Sequence, residues 1–406
     1  MRSERVSYKL DQLGFVGRGK SKHRPRNDPS LYGGDYPFFQ TGDVKGAELY
    51  LRCFSATYNE KGLAQSKLWQ PGTLCITIAA NIADSSILSI PGCFPDSVVG
   101  FVADPQRSDV FFVKYYLDTL KNAMQSISHG TTQDNLSLEK LLSFDFWVPS
   151  VEEQRKIASV LLAYDNLIEN NTRRIEILEE MARRLYEEWF VQFRFPGHEG
   201  VVFEDDVPQG WSRVRLDSVA EVNPEAISPK NAPDEIMYVD ISSVSTRQVN
   251  KLQRLEFSEA PGRARRKVIS GDVVWSCVRP ALRSYALIID PPPNTIVSTG
   301  FAVVRADSVP FSYLYQVLGS DQFVSYLDNH ATGAAYPAVK ASDFEVAEVV
   351  LPCKNLLAQF DGAVLPMLKM IHVLRLKNNN LQSQRDLLLP KLISGEIDVS
   401  DIPMPT

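Results

Sequence analysis

The sequence is poor in the residues that metal and disulfide chemistry need. Five cysteines (Cys53, Cys75, Cys93, Cys277, Cys353) and five histidines are scattered over 406 residues. None is spaced C-x-x-C or H-x-x-x-H, so neither a zinc site nor a disulfide framework is expected. Long apolar runs are missing too. No segment approaches ~18 uninterrupted apolar residues. The opening MRSERVSYKL has no apolar stretch, so no signal peptide or membrane span is expected, and a cytoplasmic location is. Nor is there an excess of positive charge: 43 Lys and Arg against 49 Asp and Glu leave a net charge of -6. That counts against a uniformly basic nucleic-acid binder. The charge is unevenly spread, however. Acidic residues crowd the helical stretches (Glu152, Glu153, Glu176, Glu179, Glu180, Glu187, Glu188), while basic ones gather in loops. Local charge sets the field that a phosphate backbone meets.

Catalytic motifs fail one by one. Gly14 to Ser21 satisfies the phosphate-loop pattern G-x-x-x-x-G-K-[ST]. Such a loop needs a helix directly after it, and Pro25 and Pro29 forbid that helix its first turns. Asp290-Pro291-Pro292-Pro293 has the start of an adenine-methyltransferase signature, but proline replaces the aromatic that would stack on a flipped base. Asp43-Val44-Lys45 resembles the tail of a nuclease motif, without the Pro-Asp that should precede it. The sequence predicts no catalysis by this chain.

What is present is a duplication. Four segments recur in the same order roughly 200 residues apart, the spacing expected of a repeated domain. SYKLDQLG answers to SRVRLDSVA, and QPGTLCITIA to ISGDVVWSCV, with Gly72 over Gly271. SVVGFVADP answers to STGFAVVRAD, and the run ending at Pro149 to the run ending at Pro352. Short strand-like runs between Pro, Gly and Asn punctuation, plus the helical patterns VFFVKYYLDTLKNAM and FSYLYQVLGSDQFVSYL, make each half an α+β domain.

Each half then enters a long helical pattern. Ile157, Leu161, Tyr164, Ile168, Asn171, Ile175, Leu178, Ala182, Leu185 and Trp189 step alternately by four and three, the seam of a coiled coil. The matching series is Phe360, Val364, Met367, Ile371, Leu374, Asn378, Leu381, Arg385, Leu388 and Leu392. One asparagine per seam, Asn171 and Asn378, suits a device that fixes register. Pro366 is expected to kink the second helix or mark its start. The fold class expected is α+β: two repeated domains separated by two long antiparallel helices related by a pseudo-two-fold. The boundaries are residues 1–150 and 211–352 for the domains, 151–195 and 353–395 for the helical regions, with an exposed linker at 196–210 and a tail at 396–406.

Basic loops carry the functional signal. Arg18, Lys20, Lys22, His23, Arg24 and Arg26 alternate with small or turn-forming residues, a spacing suited to successive phosphates or to guanine edges. The second half has Arg263, Arg265, Arg266 and Lys267, then Arg279 and Arg283 near Ser276. The glycine turn at Gly130 offers Gln133 and Asn135, amides able to pair with adenine; its counterpart, Gly333 to Pro337, differs in every side chain. If these turns read bases, the two halves read different sequences.

The chain resembles the specificity subunit of type I restriction-modification enzymes over nearly its full length. The resemblance is carried by VPSVEEQRKIASVLLAYDNLIENN, VPQGWSRVRLDSVA, YPFFQTGDV and LLLPKLISGEIDVSD, and by the alternation of domain and helical region. It implies a non-catalytic subunit in which each target recognition domain reads half of a split DNA site while the helix pair sets the spacer. Two methyltransferase subunits using S-adenosylmethionine would dock on it, and two restriction subunits using ATP and Mg would join them. By the same resemblance, the readers are the loop from Arg18 through Ser21 to Asn27, the segment around Gln40 and Thr41, and the turn near Gln133. In the second domain they are Arg263–Lys267, Ser276–Arg283 and Tyr336–Lys340. The first domain lacks the Pro-x-Gly-Trp opening found at Pro208, and CKNLLAQFDG replaces SVEEQRKIAS before the second helix, so that helix is expected to start less regularly. Two alternatives remain open: a reader serving a combined restriction-methylation polypeptide, and a phosphate-loop nucleotidase.

Overall fold

The computed structural model describes residues 4–128 and 136–404. The chain divides into two compact units, Met1–Asn170 with Lys377–Thr406, and Asn171–Leu376.

The first unit is built on a five-stranded sheet. Strand Gly14–Arg18 pairs with Val98–Ala103, which pairs with Leu74–Thr77; then come Ser85–Leu88 and Tyr50–Leu51. The three central strands are buried on both faces over most of their length, as strands covered from both sides are. Helix Val110–Ser128 contributes Phe112, Val113, Tyr115 and Leu117 to the main core of this unit, which Leu74, Ile76 and Phe101 supply from the sheet. The first strand, Val6–Tyr8, pairs antiparallel with Phe146–Val148, which leads into the central helix.

The second unit repeats this plan. Ala220–Val222, Phe301–Ala306, Val273–Ser276 and Tyr285–Leu287 lie in the same order, and Ser212–Arg215 pairs with Glu348–Leu351. The repeat extends to single hydrogen bonds. Gly72 donates its N–H to Leu88 and Gly271 to Ile288, each at 2.8 Å. Both glycines have positive φ (84° and 97°), which explains why the one residue type free of a Cβ recurs there. A second four-stranded sheet (Gln253–Glu256, Glu235–Val239, Thr295–Ser298, Ala264–Lys267) is larger than the pair Tyr32–Phe38 and Ala56–Tyr58 of the first unit. The single helical pattern expected after Phe311 is two helices, Phe311–Gly319 and Asp321–His330, because the Ser320 side chain caps the second by accepting from the Phe323 N–H at 3.2 Å.

The central helix runs Val151–Tyr186 and ends in a π-turn, Glu187–Val191. The C-terminal helix runs Lys354–Ser394. Inside each unit the two helices pair antiparallel. In the first, Ile157 and Leu161 share a core with Leu392 and Ile393, while Asn378 Nδ2 donates to the Ile168 carbonyl at 3.3 Å. In the second, Ile175 and Ala182 share a core with Phe360, Leu368, Ile371 and Leu374, flanked by the half-buried Leu178 and Leu185. Asn171, Leu381 and Leu388 are half-buried. Asp165, not its neighbour Tyr164, is the buried residue, because its carboxylate meets the seam guanidinium of Arg385 at 2.5 Å.

Two expectations change. Pro366 does not mark the start of the C-terminal helix, which begins at Lys354. The proline ring would press on the residue four before it, and that residue is Gly362. The 196–210 linker contains a hairpin, Phe203–Glu204 with Val207–Pro208. Asp205 and Asp206 both take positive φ (50° and 61°), the turn that matches strand twist. The tail from 396 is anchored: Val399 is buried in the first unit's core and Lys156 donates to the Ser400 carbonyl at 2.9 Å.

Candidate nucleic-acid interface

The phosphate-loop pattern dissolves first. Gly14–Arg18 is a strand, and an irregular loop, not a helix, comes after it. A Cβ on Gly19 would lie 2.3 Å from the carbonyls of Phe94 and Pro95, and one on Gly14 would lie 2.2 Å from that of Val102. These glycines let two backbones close on each other, and no phosphate cradle opens. Among the described residues no cluster of His, Cys, Asp or Glu is able to hold a metal.

The loop after Arg18 is held in place by its own chain. Lys20 N–H donates to the Phe94 carbonyl, the Ser66 hydroxyl to the Lys20 carbonyl at 2.8 Å, and His23 N–H to Gln65 at 3.0 Å. These ties sort its polar residues. Arg26 makes a forked contact to Asp96 (2.7 and 2.9 Å), His23 pairs with Asp28 at 2.7 Å, and Arg24 donates to the carbonyls of Ser21 and His23. Ser21 is buried, which removes it as a reader, whereas Asn27 is exposed. Arg18, Lys20 and Lys22 are exposed and meet no carboxylate among the described residues. Gln40 is exposed at the start of helix Thr41–Gly46, its amide donating to Ser55 at 3.2 Å; Thr41 is half-buried in the first turn. Gln133 and Asn135 lie outside the described residues.

One cation escaped the sequence reading. Lys67 places its ammonium 3.6 Å from the centre of the Trp69 ring and 4.6 Å from that of Phe15, which is itself 56% exposed. Burial, and then the nearby Lys20 charge, push the Lys67 ammonium below its usual value. The alternation in KLWQ puts Lys67 and Trp69 on one face of an extended chain. Only the fold brings Phe15 to them.

In the second domain the structure separates the basic residues sharply. Of Arg263 to Lys267 only Arg263 lies in a turn, since Ala264–Lys267 is a sheet strand paired with Thr295–Ser298. Arg266 points inward and donates to the Asn223 side chain and the Phe301 carbonyl, with burial pushing its guanidinium down. Arg265 lies 5.2 Å over the Phe257 ring, and Lys267 is 3.7 Å from Glu225. Arg263 meets Asp240 at 2.5 Å. Burial raises the Asp240 carboxyl, but donors from Ser242, Tyr238 and Arg263 outweigh it and hold the group below the usual carboxylate value. Ser276 is buried in a central strand with its hydroxyl on the Val278 carbonyl at 3.0 Å, so it is no reader either.

The remaining cations stand differently. Arg279 and Arg283 flank the short turn Pro280–Leu282, and both are left-handed (φ 52°). Arg283 meets Asp321 at 2.5 Å. Arg279 lies 4.8 Å over the ring of Tyr336, which is 70% exposed. Lys340 is exposed and starts helix Ala341–Glu345. The fold thus brings Arg279 and Tyr336 together across 57 residues of chain, and leaves Arg266 and Ser276 inside the domain.

Comparison with known proteins agrees with this architecture. Residues 3–180 match the family model described as the type I restriction modification DNA specificity domain. The chain is 25% identical to the type I restriction enzyme MjaIX specificity subunit of Methanocaldococcus jannaschii, over 97% of this chain and 94% of that one. It is 20% identical to the HindI specificity subunit of Haemophilus influenzae, over 66% and 72%. In fold it is similar to the type I restriction-modification S subunit of M. genitalium, with a TM-score of 0.61 at 15% identity, covering 96% of each chain. Over nearly its full length the chain is similar to type I restriction-modification specificity subunits, and its residues 3–180 match the DNA specificity domain of that family.

Proposed function

We propose that each of the two domains reads one half of a bipartite duplex DNA site, and that the paired helices fix the number of unread base pairs between the halves. The observation that carries this reading is the repeat itself: one topology built twice, with different side chains on the matching turns. A base reader needs a constant scaffold and variable tips. Phosphate contact falls to the cations left without a carboxylate, among them Arg18, Lys20 and Lys22, and these give the binding its salt dependence.

The chain performs no chemistry in this scheme. Two methyltransferase subunits carrying S-adenosylmethionine, with two ATP- and Mg-dependent restriction subunits where the system includes them, assemble on it in the cytoplasm. An apolar groove in the second unit supports docking there. It is lined by Ile177, Leu178, Pro366, Met367 and Met370, and Ile177 and Met370 are 53% and 43% exposed.

The test is adenine-methylation mapping in cells expressing the chain with its methyltransferase partner. A split motif is expected, and exchanging residues 1–150 for the corresponding domain of another reader should change one half only. A motif that is unsplit, or indifferent to the exchange, overturns the proposal.

A further inference from the structure

The duplication allows the two domains to be compared turn by turn, and one turn differs in a telling way. The hairpin joining Leu74–Thr77 to Ser85–Leu88 corresponds to the one joining Val273–Ser276 to Tyr285–Leu287. Matching backbone hydrogen bonds set the register. Thr77 donates to the Asp84 carbonyl as Ser276 does to that of Ser284, both at 2.9 Å. Leu136 donates to Ile78 as Val339 does to Cys277, again both at 2.9 Å. Counting from Ile78 and Cys277, Ala80 stands where Arg279 stands, and both are left-handed, at φ 63° and 52°.

Residues with a Cβ avoid that conformation, and a long side chain there is held only where its surroundings over-determine it. Arg279 is held in this way. Its N–H donates to the Pro337 carbonyl at 2.7 Å, and its guanidinium stacks on Tyr336. It has no carboxylate partner among the described residues, in contrast to Arg263, Lys267 and Arg283. One amino group, Nη2, lies 3.5 Å from the Ala335 carbonyl, a long contact; the stacked plane still presents in-plane N–H groups to a planar acceptor pair, and guanine O6 and N7 form that pair in the major groove. Beside it Leu282 is 63% exposed, an apolar tip with nothing of its own chain to cover it.

We propose that Arg279, pre-oriented on Tyr336, reads a guanine in the half-site of the second domain, and that the first domain, with Ala80 at the same point, reads none there. This rests on the half-site reading above. The experiment is the methylation map of wild type against R279A, R279K and Y336A, each co-expressed with the methyltransferase partner. In R279A one guanine position of one half-site should become degenerate, with discrimination falling roughly 10- to 100-fold, the loss expected for one bidentate contact. The other half-site and the spacer should be unchanged. R279K keeps a charge without the fork and should not restore the guanine; Y336A should relax the same position and no other. A wild-type half-site for this domain lacking a G·C pair overturns the inference. So does R279A methylation that falls uniformly with the motif intact, the sign of a phosphate contact. If R279A does not assemble, guanine retained in R279K overturns it as well. A wild-type map without two half-sites defeats the half-site reading itself, and this inference with it.

Discussion

A cation is available to a DNA surface only if its own protein has neither paired it with a carboxylate nor tied it inward by hydrogen bonds, so position in a basic run is a poor guide. Lys22 and Arg266 are both members of such runs, yet Lys22 is exposed and Arg266 donates inward to Asn223 and Phe301. The two should separate cleanly. K22A is expected to lower DNA affinity evenly across sequences and to reduce the slope of log affinity against log salt by about 1. R266A should leave base preference unchanged and cost about 1–3 kcal/mol of stability, because the Phe301 carbonyl loses its donor. Melting curves and salt titrations decide the matter, and normal melting with weakened binding in R266A would contradict the assignment. The partners that make the distinction were not legible in the sequence. Asp96 is 70 residues from Arg26, and Asn223 is 43 residues from Arg266.

At the scale of elements, the helical periodicity was readable because a four-three spacing of apolar residues has one physical solution, a helix with a buried stripe. Buried Ile157, Leu161, Ile168, Ile371 and Leu374 occupy the spaced positions. What the spacing did not reveal is the polar contact inside each pair: Asp165 with Arg385 in the first unit, and Glu179 with Arg375, at 2.6 Å, in the second. Asp165 also accepts from the Tyr115 hydroxyl, so it is tied to the domain as well as to the helix. Removing one partner leaves a charge 9% exposed without its counter-ion. R385M is therefore expected to destabilise the first unit by about 2–3 kcal/mol, while the double change D165N with R385M, which keeps an acceptor for the Tyr115 hydroxyl, should recover most of that loss. Chemical denaturation of wild type, D165N, R385M and the double mutant tests it; an additive double mutant would show that the pair is not coupled.

For the molecule as a whole, the chain's two ends belong to one unit. Arg5 donates to the carbonyls of Leu392 and Ile393, and Leu392, Ile393 and Val399 lie in the same core as Leu10, Ile157 and Leu161. Each such side chain contributes roughly 1.5–3 kcal/mol by its burial. Ending the chain after Leu376 should accordingly loosen the first unit, with fast amide exchange at Leu10–Leu13 and along Val151–Asn170, and leave the exchange of Val273–Ser276 near its wild-type rate. Equal protection in both units would refute this. The sequence by itself determined the repeat, the strand and helix periods and the family resemblance, since each depends on residue type and local spacing. The tertiary structure decided which cations face outward, that Lys67 joins Phe15 and Trp69, and that Arg279 meets Tyr336. Those contacts join residues far apart in the chain, and burial and pairing depend on where the fold brings them.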